Sequence, residues 1–196
     1  MLQYPLNLQF NIATLANDFS IKDASGKTIF YVRQKMFKLV EEVNVYADES
    51  KSLEAYTIQA NKWLDFSATY TFKRANGTEI GKIARKGWAS VWKTRYDIFD
   101  ASGKQDLLIQ EENAWIKVLD ALLSEIPLLG IFTGYFFNPS YNVTRSDGTF
   151  VAKMKKNPSF FGRKFTIEKG NDFQSGEEER MILGFMMMIL MERYRG

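Results

Sequence analysis

Ser175-Gly-Glu-Glu-Glu-Arg-Met181-Ile-Leu-Gly-Phe-Met-Met-Met-Ile-Leu-Met191-Glu-Arg-Tyr-Arg-Gly196 sets eleven uncharged residues, Met181 to Met191, between an acidic start and a basic end. Acid before and base behind match the two ends of a helix dipole. Ser175 and Glu178 stand in the S-x-x-E spacing of a capping box, which predicts where the helix begins. The run has no polar side, and a helix that is apolar all round must be enclosed by protein or by lipid. Eleven residues reach only about 16 Å, while a bilayer needs about 20 apolar residues. Enclosure by the rest of the chain is therefore the expectation.

The rest of the chain has the composition to do this. With 196 residues, 45% hydrophobic and 25% charged, it reads as one domain over 1–196 with a sizeable core. Sixteen Phe, nine Tyr and four Trp favour strands. Cysteine and histidine are both absent, which excludes disulfides, thiolate or imidazole metal sites, Ser-His-Asp triads and cysteine nucleophiles. A net charge of +3, with basic residues scattered, does not predict a nucleic-acid partner. Met1-Leu-Gln-Tyr-Pro-Leu-Asn7 has no basic n-region followed by an apolar stretch, so a cytoplasmic location is expected.

Four stretches share a template: Phe19-Ser-Ile-Lys-Asp-Ala-Ser-Gly26, Tyr70-Thr-Phe-Lys-Arg-Ala-Asn-Gly77, Tyr96-Asp-Ile-Phe-Asp-Ala-Ser-Gly103 and Tyr141-Asn-Val-Thr-Arg-Ser-Asp-Gly148. An aromatic and an apolar residue two apart lie on one face of a strand, and the glycine supplies the positive φ of a tight turn. Each is followed by a strand-like run: 28–35, 79–85, 105–111 and 149–156, with 38–46 and 55–61 as a further pair. One buried and one wet face along so many strands favours a sheet closed on itself.

Trp115, Val118, Leu119, Leu122, Leu123 and Ile126 recur instead at helical spacing and predict an amphipathic surface helix stopped at Pro127. Ile126 to Phe137 is apolar but interrupted by Pro and Gly, too short to cross a membrane. The sum is a mainly β protein: a closed antiparallel barrel around a buried C-terminal helix, with one additional surface helix.

These hairpins, together with Ile80-Gly-Lys-Ile-Ala-Arg-Lys-Gly-Trp-Ala-Ser-Val-Trp92, Trp115-Ile-Lys-Val-Leu-Asp120, Asn138-Pro-Ser-Tyr141 and the terminal Met191-Glu-Arg-Tyr-Arg-Gly196, resemble the LURP-one-related family of the Tubby C-terminal-like superfamily, which includes phospholipid scramblases. The resemblance runs over nearly the whole chain. It implies about twelve strands around a hydrophobic helix and does not imply an enzyme. It also implies a binding role, since tubby-like members bind phosphoinositides. Scramblase-type attachment does not carry over, because the chain lacks cysteines to acylate and a calcium loop.

Lys153, Lys155 and Lys156, with Lys164 close behind, are the densest basic stretch and the candidate lipid or anion site. Phe150, Ala152 and Met154 are read inward, which points Lys153 and Lys155 outward. Lys82, Lys86 and Lys93 are candidates to join them. Arg163, in phase with Phe161, Phe165 and Ile167, is expected in a rim ion pair. Glu168, Asp172 and Glu177 to Glu179 lack calcium-loop order and read as helix-start electrostatics, so no metal or other cofactor is expected. Glu111 and Glu112 fall on opposite faces by alternation and so make no acid/base pair. The resulting expectation is a non-enzymatic module, cytoplasmic or peripheral at the membrane, that binds anionic lipid or a protein partner. The alternatives are a small-molecule-binding barrel and a scramblase-like lipid protein.

Overall fold

The computed structural model describes residues 2–11, 18–33, 42–61, 69–85, 94–112, 138–159 and 164–195. Among them twelve strands follow one another: β1 (Leu6–Phe10), β2 (Phe19–Lys22), β3 (Thr28–Arg33), β4 (Glu42–Tyr46), β5 (Glu54–Ala60), β6 (Thr69–Arg74), β7 (Glu79–Arg85), β8 (Arg95–Asp100), β9 (Gln105–Glu111), β10 (Ser140–Arg145), β11 (Phe150–Asn157) and β12 (Lys164–Lys169). Helix α1 (Glu177–Arg195) comes after them. Each strand pairs antiparallel with the next, and β1 pairs β12 through Leu6↔Ile167 and Leu8↔Phe165, which closes the ring. A closed ring has no free edge to pair with another chain.

The four template turns share one geometry. In each, the backbone N–H of the residue three before the glycine meets the carbonyl of the residue after it, as in Asp23 N–H to Lys27 O at 3.0 Å and Asp100 N–H to Lys104 O at 2.9 Å. Gly26, Gly77, Gly103 and Gly148 have φ between 83° and 85°. This is the three-residue hairpin with a left-handed glycine. A side chain fixes each: the Asp100 carboxylate accepts from Ser102 N–H, Ser102 Oγ and Lys104 N–H, and Asp23 does the same with Ser25 and Lys27. The ladder slips by one residue just after the inward apolar residue of each hairpin, at Ile21, Phe72, Ile98 and Val143.

The template's aromatic and apolar residues all point inward: Phe19, Ile21, Tyr70, Phe72, Tyr96, Ile98, Tyr141 and Val143 are buried. Phe150 departs from its expected inward place. The slip after Val143 leaves Val151 and Ala152 buried while the Phe150 ring lies outside, against Gly170. The amphipathic helix expected over 115–126 and the apolar stretch to 137 lie outside the described residues.

α1 fills the barrel. All of Met181 to Met191 are buried against the strands' inner faces. Among the described residues no helix is long and apolar enough to cross a membrane. The carboxylate that reaches back at the start of α1 is Glu177, which accepts from Gln174 N–H at 2.7 Å, rather than Glu178 paired with Ser175. Glu177 takes this place because Arg145 of β10 holds it in the barrel mouth.

At Gly184 the helix runs close against the wall: a Cβ there would lie 2.6 Å from Ile98 Cδ1. Gly184→Ala gains about 1 kcal/mol of helix propensity, but overpacking costs about 1–3 kcal/mol. The expected result is net destabilisation in denaturant unfolding. Ile98→Val removes the opposing methyl, so the double variant should recover most of the loss. Additive effects would mean that the two positions do not confront each other.

Candidate functional site

The outer faces of β1, β2 and β9 to β12 carry the sequence-predicted lysines. Register aligns Lys22, Asn7, Thr166, Lys155 and Ser140 in one row across five strands, and Glu168, Lys153, Asn142, Gln110 and Arg95 in the next. Lys155 lies directly opposite Thr166, which makes Lys164, two residues on, its diagonal neighbour at about 7–8 Å. The fold therefore brings Lys153, Lys155 and Lys164 onto one patch and adds Lys22, which local sequence did not suggest. Lys156 is sent elsewhere: opposite Phe165 and in phase with Met154, it lies on the inward side near the barrel mouth. Lys82 stands apart on β7 over the Phe99 ring, and Arg163, Lys86 and Lys93 lie outside the described residues.

The patch is only partly cationic in effect. Lys155 Nζ is 2.9 Å from Glu168, and Lys153 Nζ is 2.5 Å from Glu112. Glu112 also accepts from the Ser140 hydroxyl. Lys153 first, then Ser140, hold the Glu112 carboxyl below its usual range. Around them run neutral hydrogen bonds: Asn157 Nδ2 donates to Thr166 Oγ1 at 2.8 Å, and Thr166 Oγ1 to Asn7 Oδ1 at 3.3 Å. With side chains of Lys155 and Glu168 45% and 47% exposed, that pair is worth little in water.

Two other polar clusters sit at the ends of α1. At its start Arg145 grips Glu177 with two parallel bonds of 2.8 Å and donates to Asp172 O. Burial alone would raise the Glu177 carboxyl, yet the bonds from Arg145 and Gln174 N–H keep it low. Arg180 donates to Asp106 at 2.7 Å, and Arg74 pairs with Glu179. Arg180 passes so close to β7 that a Cβ at Gly81 would meet its Cδ at 2.6 Å and the Phe99 carbonyl at 2.3 Å. Acidic residues before α1 and in its first turn are thus answered by cations: Glu168 by Lys155, Asp172 by Lys169, Glu177 by Arg145 and Glu179 by Arg74.

At the far end of α1, Glu192 accepts from Tyr96 OH at 2.7 Å and lies 3.8 Å from Arg85, which stacks 5.9 Å over the Tyr96 ring. Burial, then the charge of Glu192, raises the Tyr96 hydroxyl far above its ordinary value. Glu111 is buried in the same inward phase and accepts from Thr94 N–H, so it turns away from outward Glu112 as alternation predicts. Local sequence reading missed this cluster, though the phase of Arg85 with Ile83 and of Glu111 with Ile109 carried it.

A closed antiparallel barrel filled by its own helix, with a mixed-charge lysine face outside, defines the class of protein. The sequence model of the LURP-one-related family matches residues 28–189, and the chain belongs to that family. The X-ray structure of a protein from Arabidopsis thaliana is similar in fold: TM-score 0.51 at 16% identity, covering 98% of this chain and 93% of that one. No curated protein sequence matches the chain.

The Glu112 carboxyl provides a direct test of this geometry. Its depressed folded pKa means that the pair stabilises the protein above the ordinary value of 4.5 and loses that contribution as pH falls through the lower folded value. Lys153→Met should move the Glu112 titration midpoint upward toward 4.5 in carboxyl-carbon NMR. An unmoved midpoint would remove Lys153 as the main cause.

Proposed function

We propose that this protein is a non-enzymatic binding module whose outer β1/β12/β11 face docks on anionic membrane lipid. The observation that carries the reading is the placement of Lys153, Lys155, Lys164 and Lys22 on the outer face of the neighbouring strands β11, β12, β1 and β2. Thr166, Asn157 and Asn7 lie between them as uncharged hydrogen-bonding groups. Lysines near an anionic leaflet contribute about 1 kcal/mol each, and several acting together give reversible attachment. The barrel interior supports an outside site, because Met181 to Met191 occupy the space that a carrier barrel would leave to its ligand. The lipid class follows from charge alone: phosphate- or carboxylate-bearing headgroups, met as a surface.

Flotation with phosphatidylcholine vesicles, with and without phosphatidylserine, tests this. The protein should float only with the anionic lipid at low salt and dissociate as the screening length shrinks. Lys155→Glu with Lys164→Glu should weaken binding about 25-fold or more, whereas Lys104→Glu, an exposed turn lysine off the patch, should have a much smaller effect. Flotation that ignores the anionic lipid, or that survives the double reversal, would overturn the reading and leave a protein partner as the better hypothesis.

A further inference from the structure

We propose that Glu112 and Glu168 are built-in competitors for the lysine face, making it selective for a dense anionic surface over isolated anions. The proposal rests on the membrane reading above and assigns the two carboxylates a specificity role. Both come from strands other than the one that bears the two lysines: Glu112 directly follows β9 and Glu168 sits in β12, while Lys153 and Lys155 are in β11. Glu168 is in register with Lys153 yet bonds Lys155, its diagonal neighbour on β11. The Ser140 hydroxyl donates to the same Glu112 Oε2 that faces Lys153, so that oxygen is held at Lys153 by two partners.

Consider what each ligand class must displace. A single phosphate approaching Lys155 replaces one carboxylate pair with another of the same kind, with little net gain. A bilayer instead presents many charges at once. It meets exposed Lys164 and Lys22 in the same encounter, and its potential acts on the whole face. The exposed Lys155–Glu168 pair is weak in water and yields first to this many-point contact, while Lys153, 21% exposed, is the more sheltered of the two lysines. Four lysines against two carboxylates leave the face cationic overall while its most central ammonium groups are already occupied.

Four proteins decide the matter: wild type, Glu112→Gln, Glu168→Gln and the double glutamine variant. Thermal unfolding should confirm that all four fold, since glutamine keeps a polar side chain of the same length. Each is tested on phosphatidylcholine vesicles containing phosphatidylserine and, by calorimetry, on inorganic pyrophosphate. Each single variant should bind the anionic vesicles about five-fold tighter, and the double about 25-fold. The double variant should also gain pyrophosphate binding that the wild type lacks. If the wild type binds vesicles and the double variant binds no tighter, the competitor role is wrong and the membrane reading stands. If neither binds anionic vesicles, both fall. If only the glutamine variants bind, the carboxylates block membranes as well as isolated anions, and the selectivity falls together with the wild-type membrane reading.

Discussion

A helix with no polar side cannot present any surface to water, and eleven consecutive apolar residues in α1 impose that condition on everything around them. The solution is a wall on every side. Twelve antiparallel strands supply it, each turning one face of alternate side chains toward the axis. The same demand explains the closure of β1 on β12, since a gap would expose methionine and isoleucine side chains along the helix. The outer surface is released from this duty and free to be polar.

An apolar cylinder inside an apolar sleeve has little to fix its rotation or depth. Dispersion and burial reward contact without direction, so orientation falls to the charged groups at the two ends. Arg145, Asp106 and Arg74 hold Glu177, Arg180 and Glu179 at one mouth; Tyr96 and Arg85 hold Glu192 at the other. Arg145–Glu177 and Arg180–Asp106 are the most enclosed of these pairs, and such pairs act more through the geometry they demand than through net stability. Steric detail agrees, because at this depth the bare Gly81 and Gly184 backbones face Arg180 and Ile98, where a Cβ would clash.

How much of this was legible in the sequence varies from residue to residue for physical reasons. The pairs Phe19/Ile21 and Tyr141/Val143 read directly onto the inner wall, because a two-residue period maps onto in and out without knowledge of any partner. Phe150 misled because a slip in the ladder depends on the neighbouring strand and leaves no mark in the local pattern. Lys156 was hidden by its company: its phase with Met154 placed it inward, yet adjacency to Lys155 suggested a single cluster. Partners such as Glu112 for Lys153, or Glu192 for Tyr96, are set by register and by helix depth, which no window along the chain contains. The basic stretch was visible; its neutralisation was not.

The order of elements along the chain has a kinetic side. The helix that fills the barrel follows all twelve strands, so every strand is synthesised before the barrel's contents. Until α1 emerges, inner faces carrying Phe19, Phe72, Leu107 and their neighbours have no occupant, and nascent strands must avoid collapsing on one another or on other chains. Ring closure between β1 and β12 also joins residues such as Asn7 and Thr166 that are far apart in sequence, a contact that forms slowly. For this molecule the fold cannot be completed before α1 has been made, and a cell making it must shelter the strands' apolar inner faces until then.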